Sequence, residues 1–379
     1  MARSDKSSFT LPTIERACVI GAGPIGCATA AHLVRQGLEV TICDVDASRV
    51  APLRGTGAGP GRVIIRGGVM DGEDPIAAAS TVLAEVVPGA DLIIMAVPGD
   101  ACEHVARAAA PHLKDGVVVF FQPGQTLSSM AFLNAARRAG FEGEITPVET
   151  VSTIFTGRLT EPGVAEIYAI KRWIAFAAFP AQRTAALTPV LQALLPSLVP
   201  VGSVLETSLC NFNAVVHPAV TLLNAGPIDN HRPFLFYHEG ATPAVMRLVE
   251  AIDFERLAMM RAFGIPSESL LSWFNRIYAL NAPSLAYAFR TNKPYAEIHA
   301  PTSLNTRLLL EDLPTGVVPL IELADLVGVP VPAMKGTLAL ANTILDTDFA
   351  SWGRTLETIG LGHLDKDGLR ELLGPVKGS

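Results

Sequence analysis

The stretch that decides the fold is ACVIGAGPIG, residues 17–26, which joins three signals within ten positions. A short apolar run, ACVI, is typical of a buried strand. Three glycines follow it in the spacing Gly-x-Gly-x-x-Gly, at Gly21, Gly23 and Gly26. Pro24 suits the first turn of a helix, because its missing N–H would have no partner there. The stretch therefore predicts a strand, a tight turn and a helix in direct succession.

Each glycine has a separate reason in a dinucleotide-binding turn. Gly21 permits the tight turn, Gly23 lets the backbone approach a pyrophosphate, and Gly26 lets the helix pack closely on the strand. Asp44 stands 18 residues after Gly26 at the end of a second predicted strand, where an acid accepts hydrogen bonds from a ribose 2′-hydroxyl. The alternative is a glycine turn in an unrelated α/β protein with a solvated Asp44. The combined pattern favours a nucleotide site.

The predicted cofactor is NAD, because an acid at position 44 repels the 2′-phosphate of NADP. Arg49 and Arg54 lie close enough in sequence to leave NADP open. Val97 ends the fourth predicted strand, at the sheet edge where a doubly wound fold places the nicotinamide half. A strand must end in a turn in any case, so Val97 has an equally good structural explanation. The predicted cofactor-binding residues are Gly21, Gly23, Pro24, Ile25, Gly26, Asp44 and Val97.

Short Val- and Ile-rich runs alternate with helical stretches through the first half of the chain, as in parallel βαβ units. Predicted strands are 17–20, 39–43, 63–65, 91–96, 117–121, 168–170 and 173–177. Predicted helices are 24–36, 48–53, 76–86, 100–111, 127–140 and one near 184–195. After Gly202 the apolar period becomes 3.6 and stays there. We predict a doubly wound, mainly parallel sheet in a Rossmann domain, residues 1–202, and an all-α domain, residues 203–379.

Composition narrows the class of protein. The 379 residues suit two domains, with 49% hydrophobic residues available to fill two cores. The net charge of −7 provides no basic stripe, so we predict no nucleic-acid partner and no membrane partner. Two long uncharged runs, 184–205 and 207–228, contain prolines, asparagines and a histidine that a bilayer would not tolerate without partners. They read as buried segments of a soluble protein.

The termini and cysteines indicate the compartment. Residues 1–16 are polar, without the apolar core of a secretory signal. The five cysteines show no metal-finger spacing, and their odd number fits a reduced chain rather than a disulfide framework. The histidines likewise lack ligand spacing. We predict a cytoplasmic protein with no metal.

The segment Asn213-Ala-Val-Val-His217-Pro218 opens the helical part and carries its first candidate site residues. Asn213 and His217 are four residues apart, so they share one face of a helix. Pro218 disfavours helical geometry for the residue before it, which predicts that His217 lies at a helix end or kink. Lysine is absent between Lys171 and Lys293, which argues against a lysine proton donor of the ketopantoate-reductase or glycerol-3-phosphate-dehydrogenase type. A core histidine bonded to a backbone carbonyl is the alternative.

A second cluster, Arg307-Leu-Leu-Leu-Glu311-Asp312-Leu-Pro314-Thr-Gly316, sets an arginine and two acids in an apolar stretch. These residue types suit a carboxylate clamp and a partner for a histidine. In the alternative, Asp312 caps a helix that begins near Pro314, and Arg307 pairs with Glu311 on an exposed face. Alone, the cluster favours that alternative slightly.

Together, the two clusters resemble the octopine/nopaline (opine) dehydrogenase family. The resemblance covers about residues 17–326, and the Arg-x-x-x-Glu-Asp-x-Pro-x-Gly run is its most distinctive part. It rests on GAGPIG at 21–26, Asn-x-x-x-His-Pro at 213–218, the 307–316 run, Glu149-Thr150, and Asp253-x-Glu255-Arg256. The run Ser-Thr-Ile-Phe at 152–155 departs from the Leu-Pro-Tyr-like sequence of the family, which puts the details of the substrate pocket in doubt.

The resemblance implies a C-terminal domain of the 6-phosphogluconate-dehydrogenase-like type. It also implies NAD(P)H-dependent reductive condensation of an α-keto acid, such as pyruvate, with the amino group of an L-amino acid. By the same analogy His217 is the acid/base, Asp312 orients it, Arg307 grips a substrate carboxylate, and Asn213 holds the keto oxygen or imine. Imidazole exchanges protons near neutral pH, and the arginine fork matches a carboxylate.

Two other functions stay open at this stage. One is a dehydrogenase of a 2- or 3-hydroxy acid on the same architecture, which an amino co-substrate requirement would exclude. The other is a catalytically inactive NAD-sensing protein, in which His217→Ala would change nothing measurable. The expected partners are the small-molecule substrates, with a homodimer left open. The aromatic runs 231–234 and 236–238 read as a surface turn, or else as a side-chain pocket; Tyr295 and His299 are similarly ambiguous.

Overall fold

The computed structural model describes residues 13–56 and 59–375 of the chain. The strands are β1 Arg16–Ile20, β2 Glu39–Cys43, β3 Arg62–Arg66, β4 Gly72–Pro75, β5 Ala78–Ser80, β6 Leu92–Met95, β7 Val117–Phe121, β8 Ile145–Thr150, β9 Phe155–Glu161, β10 Val164–Ile170, β11 Ile174–Ala178 and β12 Leu198–Pro200.

Helices separate and follow these strands. The α-helices are α1 Pro24–Arg35, α2 Ala47–Val50, α3 Leu83–Val86, α4 Cys102–Ala109, α5 Ser128–Arg138, α6 Gln182–Leu194, α7 Val204–Leu209, α8 Phe212–Leu223, α9 Ala225–Asp229, α10 Pro243–Phe263, α11 Leu270–Tyr278, α12 Leu285–Thr291, α13 Arg307–Leu310, α14 Val318–Leu326, α15 Pro332–Leu345, α16 Phe349–Trp352 and α17 Lys366–Leu373. Short 3-10 turns lie at Ala51–Leu53, Gly99–Ala101, Ala110–His112 and Lys293–Tyr295, and Leu313–Val317 is π-helical.

An eight-stranded sheet forms the centre of the first half, in the order β12-β11-β8-β7-β6-β1-β2-β5. Every neighbouring pair is parallel except β8 and β11. Strands β1, β6 and β7 are buried almost throughout, as strands covered on both faces must be. The chain moves outward from β1 to β2 and β5, then returns to β6 on the other side of β1. This doubly wound, mainly parallel sheet confirms the predicted fold class.

A second, four-stranded sheet differs from the sequence-based prediction. Its order is β4-β3-β10-β9, so the predicted strand at 63–65 belongs here and not to the central sheet. Helix α1 packs against β3, β9 and β10 of this sheet and against β1 and β2 of the central sheet, so it lies between the two. The predicted helix at 76–86 is wrong: it contains β5 and only one helical turn, α3. The apolar run there also fits a short strand, and pairing with β2 decides its conformation.

The second half is helical and is organised around α8, which contacts α10, α13, α15 and the π-helical turn. Apolar residues lie on most sides of α8, so its burial and not its propensity stabilises it. The side chain of Asn211 caps its first turn by accepting from the N–H of Ala214. Within residues 13–56 and 59–375, no helix has the length and apolar character that crossing a bilayer requires.

Candidate active site

The glycine loop lies between β1 and α1 and leaves space for a ligand at one position. Gly21 has a φ of +108°, and a Cβ there would lie 2.3 Å from the carbonyl oxygen of Ala96. A Cβ on Gly26 would lie 1.7 Å from the carbonyl oxygen of Gly21, so the helix packs tightly on the turn. A Cβ on Gly23 would meet no atom within 4 Å. A side chain would therefore clash with the backbone at Gly21 and at Gly26, whereas Gly23 leaves space for a ligand.

The N-terminus of α1 suits a pyrophosphate. Gly23 is its N-cap and offers no side-chain cap, Pro24 follows, and the first turn contains no acid. Free backbone N–H groups and the helix dipole then favour an anion at this end. The loop lies beside the point where the chain reverses its direction across the sheet, between β1 and β6, which is where open α/β sheets bind ligands.

Asp44 lies immediately after β2 and is turned toward the glycine loop. Its Oδ2 accepts from the N–H of Ala22 at 2.6 Å, and its Oδ1 accepts from the N–H of Asp46 at 2.9 Å. The Arg49 guanidinium lies 3.5 Å from the Asp44 carboxylate and 3.6 Å from the Asp46 carboxylate. Each carboxylate oxygen keeps a further lone pair, so Asp44 can accept from a ribose while its orientation is held.

Val97 and Gly99 follow β6 at the sheet edge next to this loop. Val97 is partly buried and packs against the core, and its Cγ1 lies 3.1 Å from where a Cβ on Gly21 would stand. Gly99 contacts the helical half, because a Cβ there would meet Gln125 at 2.7 Å and Thr315 at 2.8 Å. The end of β6 is thus the place where the nucleotide half meets the helical half.

The sequence predicts a helix end or a kink at His217; His217 lies in the middle of α8, so the helix does not end there. Pro218 is inside the helix as well, since α8 continues to Leu223. Burial of the surrounding apolar residues outweighs the cost of an internal proline. Asn213 and His217 are the partly exposed residues of a buried stretch, so they mark the one open face of this part of α8. The side chain of His217 is 13% exposed.

His217 and Asp312 are in direct contact, although 95 residues separate them. The Nδ1 of His217 lies 2.7 Å from Oδ2 of Asp312, and the Asp312 carboxylate is buried. The other oxygen, Oδ1, is buried and has no partner within the described part of the chain. A carboxylate on Nδ1 sets the imidazole tautomer and leaves Nε2 for proton exchange.

The π-helical turn, residues 313–317, brings Asp312 to α8. The N–H of Val317 donates to the carbonyl of Asp312, which gives the wider turn. Gly316 allows the close approach, because a Cβ there would lie 2.6 Å from the Cβ of Ala214. Asp312 caps no helix with its side chain, contrary to the structural alternative drawn from the sequence.

Tyr237 occupies the other side of His217, with its hydroxyl 3.0 Å from Nε2. Its ring is buried and stacks on Tyr295 at 4.3 Å between centroids. Burial raises the pKa of Tyr237 well above its usual value, so the hydroxyl stays protonated and donates to Nε2. The surface turn expected at 236–238 is therefore wrong at Tyr237. The aromatic run was the available signal, but its burial depends on helices far along the chain.

Glu311 joins the two halves of the molecule. Its Oε1 accepts from the N–H of Gly99 at 3.0 Å and from Nε2 of Gln125 at 2.9 Å. Burial, together with the charge of Asp312, raises the pKa of the Glu311 carboxyl. The sequence pattern suggested only an exposed pair with Arg307. The Arg307 guanidinium lies 3.9 Å from Glu311, but 73% of its side chain is exposed and available to a ligand.

Two further polar residues lie at this interface: Arg354, which carried no signal in the sequence, and Glu149, which the sequence marked only as part of the family resemblance. Arg354 is buried and donates to the carbonyl oxygens of Gly99 and Thr126 at 2.9 and 2.8 Å. Glu149 is fully buried and accepts from the N–H of Ser129 and the hydroxyls of Thr207 and Ser208. Burial raises the pKa of the Glu149 carboxyl. Among the residues that the structure describes, no three His, Cys, Asp or Glu side chains form a group suited to a metal ion.

Comparison with known proteins agrees with this arrangement. Residues 200–345 match the family model of the NAD/NADP octopine/nopaline dehydrogenase alpha-helical domain, and residues 17–138 match that of ketopantoate reductase PanE/ApbA. An opine dehydrogenase of Arthrobacter sp. (strain 1C) is 36% identical over 352 residues, which are 93% of this chain and 97% of that protein. The chain belongs to the opine dehydrogenase family. It is accordingly an NAD(P)-dependent oxidoreductase, as the sequence predicted.

Solved structures show the same fold at lower identity. Octopine dehydrogenase with NADH and L-arginine is 21% identical, with a TM-score of 0.77 over 97% of this chain and 100% of that one. Yersinopine dehydrogenase with NADP+ bound is 18% identical, with a TM-score of 0.72 over 94% of this chain and 95% of that one. Both likenesses extend over the nucleotide half and the helical half.

Proposed function

We propose that this protein catalyses the NAD(P)H-dependent reductive condensation of an α-keto acid with the amino group of an L-amino acid, and the reverse oxidation. The observation that carries the proposal is the His217–Asp312 pair, which lies where the helical half meets the end of β6. An acid/base pair at that edge faces the place where a doubly wound fold holds the nicotinamide. Family membership supports the same reaction class.

His217 moves the proton. With Asp312 accepting from Nδ1, the Nε2 atom gives a proton to the reacting carbonyl oxygen or imine nitrogen, and takes one from the secondary amine in the reverse direction. The Asp312 carboxylate stabilises the imidazolium that forms. Tyr237 donates to Nε2 and so helps to keep the imidazole ring oriented.

The substrate carboxylate belongs at Arg307. Its guanidinium is mostly exposed, and its planar fork binds a carboxylate through two parallel hydrogen bonds. We place Asn213 one turn before His217 as the group that holds the keto oxygen or imine, because both lie on the open face of α8. The unpartnered Oδ1 of Asp312 adds an acceptor for an amine N–H in the same place.

The residues present fit a dinucleotide. The open space at Gly23 and the uncapped N-terminus of α1 would hold the pyrophosphate, Asp44 the adenosine ribose, and Val97 the nicotinamide side. The bound cofactor supplies the hydride. We propose a preference for NADH over NADPH, because Asp44 repels a 2′-phosphate and Arg49 is already paired with acids.

Three organisational points complete the proposal. We place the domain boundary near Gly202, between residues 1–202 and 203–379; β12 ends at Pro200, and the match to the helical family model begins at residue 200. We propose a reducing, cytoplasmic location on the basis of five cysteines that are all free thiols. The partners are small-molecule substrates, and a homodimer is compatible with this arrangement.

The test measures NADH oxidation with pyruvate, with and without a pool of L-amino acids, in the wild type, His217→Ala and His104→Ala. His104 is an exposed histidine on α4 and serves as the matched control. We expect oxidation to require an amino acid, and His217→Ala to lower turnover about 10²- to 10⁴-fold while NADH still binds. His104→Ala should behave as the wild type.

Three results would contradict the proposal. Reduction of pyruvate at the same rate without any amine would identify a hydroxy-acid dehydrogenase. Full turnover in His217→Ala would remove the acid/base role from His217. Binding of NADH without turnover on any of the amino acids would instead favour the catalytically inactive NAD-sensing protein. The same assay with NADPH, repeated in Asp44→Ala, tests the cofactor preference. Without the acid, the rates of NADH and NADPH oxidation should become more similar.

A further inference from the structure

A cavity of about 660 Å³ lies apart from the glycine loop and the His217 cluster. It is bounded by His32 on α1, the segments 154–155 and 170–173 around β9 to β11, and the segment 192–199 that leads into β12. It shares no lining residue with the glycine loop or with the His217 cluster. Its volume falls within the range of sites for small organic ligands, and most of its lining is apolar.

The ionisable side chains that line this cavity are all basic. Lys171, Arg172 and His32 line it, and none of its lining residues is acidic, although the chain as a whole carries a net charge of −7. Nε2 of His32 is already bonded to the carbonyl of Leu194. Charge complementarity therefore points to an anionic occupant.

Lys171 is an ammonium group that finds no counter-ion within residues 13–56 and 59–375. It is partly buried, and two hydroxyls, Ser152 Oγ at 2.8 Å and Thr153 Oγ1 at 3.0 Å, take two of its three N–H donors. Among the described residues, no carboxylate forms an ion pair with it. Burial lowers the pKa of the Lys171 amine to about 8. A buried cation is costly unless an anion pairs with it.

Trp173 stands at the rim in an unusual conformation. Its φ is +62°, a rare value for a bulky side chain, yet 56% of the residue is exposed. Its carbonyl accepts from Arg276 on α11, which helps to hold the turn. Backbone strain of this kind is found at ligand sites more often than elsewhere. Here the strain presents a large apolar ring at the cavity mouth.

We propose that this cavity is a second binding site, which takes a small carboxylic acid with an aromatic or other apolar body. The carboxylate pairs with Lys171 at the third N–H, and the apolar body lies against Phe155 and Leu198 beneath Trp173. Ser152 and Thr153, which hold the Lys171 amine, directly precede Ile154 and Phe155 in the cavity wall.

The experiment titrates the full chain with phenylacetate by calorimetry. Phenylacetate carries the carboxylate and the ring but has neither a keto nor an amino group to react. The variants are Lys171→Met, the matched surface control Lys335→Met, and Ser197→Phe, which fills the cavity without touching Lys171. Lys335 pairs with Asp325 and is exposed. The neutral analogue 2-phenylethanol is titrated in parallel, and NADH binding reports the integrity of each variant.

We expect saturable phenylacetate binding that weakens at least about tenfold in Lys171→Met and in Ser197→Phe. Binding should stay unchanged in Lys335→Met, in His217→Ala, and with saturating NADH and pyruvate. The proposal is overturned if phenylacetate fails to bind, if 2-phenylethanol binds equally well, or if NADH and pyruvate displace it, since displacement would place it in the catalytic cleft. These outcomes are independent of whether the proposed condensation takes place.

Discussion

The glycine loop after β1 and the His217–Asp312 pair are built in opposite ways. The loop is six consecutive residues, and it works through backbone N–H groups and through space that no side chain fills. The pair joins two side chains that are 95 residues apart, on a helix and a π-helical turn pressed together at Gly316. One site is local geometry, whereas the other exists only once the helical half has packed.

This difference predicts which property of the protein a substitution at each site changes. A change in the loop acts through sterics within a few ångströms and should alter cofactor binding. A change in the pair should leave cofactor binding alone and alter turnover. Glu311 and Arg354 both contact Gly99 and so fix the position of one site relative to the other.

Among substitutions that should affect one site and not the other, Asp312→Asn should have the largest effect on turnover. The amide keeps the shape of the side chain but cannot stabilise an imidazolium by charge, so turnover should fall about 10²-fold or more while the affinity for NADH stays unchanged. Steady-state kinetics and fluorescence titration measure the two quantities. Asp325→Asn, at an exposed ion pair, is the control. Weakened NADH binding in Asp312→Asn would show that the two sites are not separable.

The loop itself is tested by two substitutions of the same size. Gly26→Ala places a methyl group 1.7 Å from the Gly21 carbonyl, so it should lower the melting temperature and abolish tight NADH binding. Gly23→Ala meets no protein atom within 4 Å, so the melting temperature should hold while NADH affinity drops about tenfold. Unchanged NADH affinity in Gly23→Ala would mean that the pyrophosphate lies elsewhere.

A smaller effect is expected from Tyr237→Phe, which sharpens the description of the catalytic pair. The substitution removes only the hydroxyl that lies 3.0 Å from Nε2 of His217, and the buried ring keeps its packing on Tyr295. Because Asp312 still orients the imidazole, kcat should fall only several-fold, about 1 kcal/mol in the barrier. Tyr287→Phe, on an exposed tyrosine, should leave kcat unchanged. A loss as large as that of His217→Ala would make Tyr237 itself the proton donor.

The smallest effect concerns the pH dependence of stability at the junction of the two halves. Burial in the folded protein raises the pKa of the Glu149 carboxyl. This carboxyl therefore binds a proton more tightly in the folded protein than in the unfolded chain. Stability from this group is therefore present below the unfolded value of about 4.5 and is lost as the pH rises through the folded pKa. Urea unfolding at pH 5 and pH 8 should show a smaller loss in Glu149→Gln than in the wild type. The exposed control Glu39→Gln should match the wild type, and an equal loss in all three proteins would contradict the assignment.

Prediction from the sequence succeeded where neighbouring residues decide the outcome. The run of strand, glycines and helix at 17–35 is as predicted, because turn sterics and helix capping act over a few positions. The prediction failed at 76–86, where a short apolar run became β5 through pairing with β2. The helix also does not end at Pro218, because burial of α8 outweighs the local preference to end a helix. In both places a distant contact exceeded a local propensity.

The sequence by itself determined the doubly wound fold and the glycine loop, because periodicity and motif spacing are properties of consecutive residues. The candidate pair of His217 and Asp312 came from the resemblance to the opine dehydrogenase family. Only the tertiary structure decided that Tyr237 faces His217, that Glu311 binds Gly99, and that Lys171 lies in a basic cavity. Each of those contacts joins segments far apart in the chain. Their alignment depends on how whole helices and sheets pack, which no local pattern encodes.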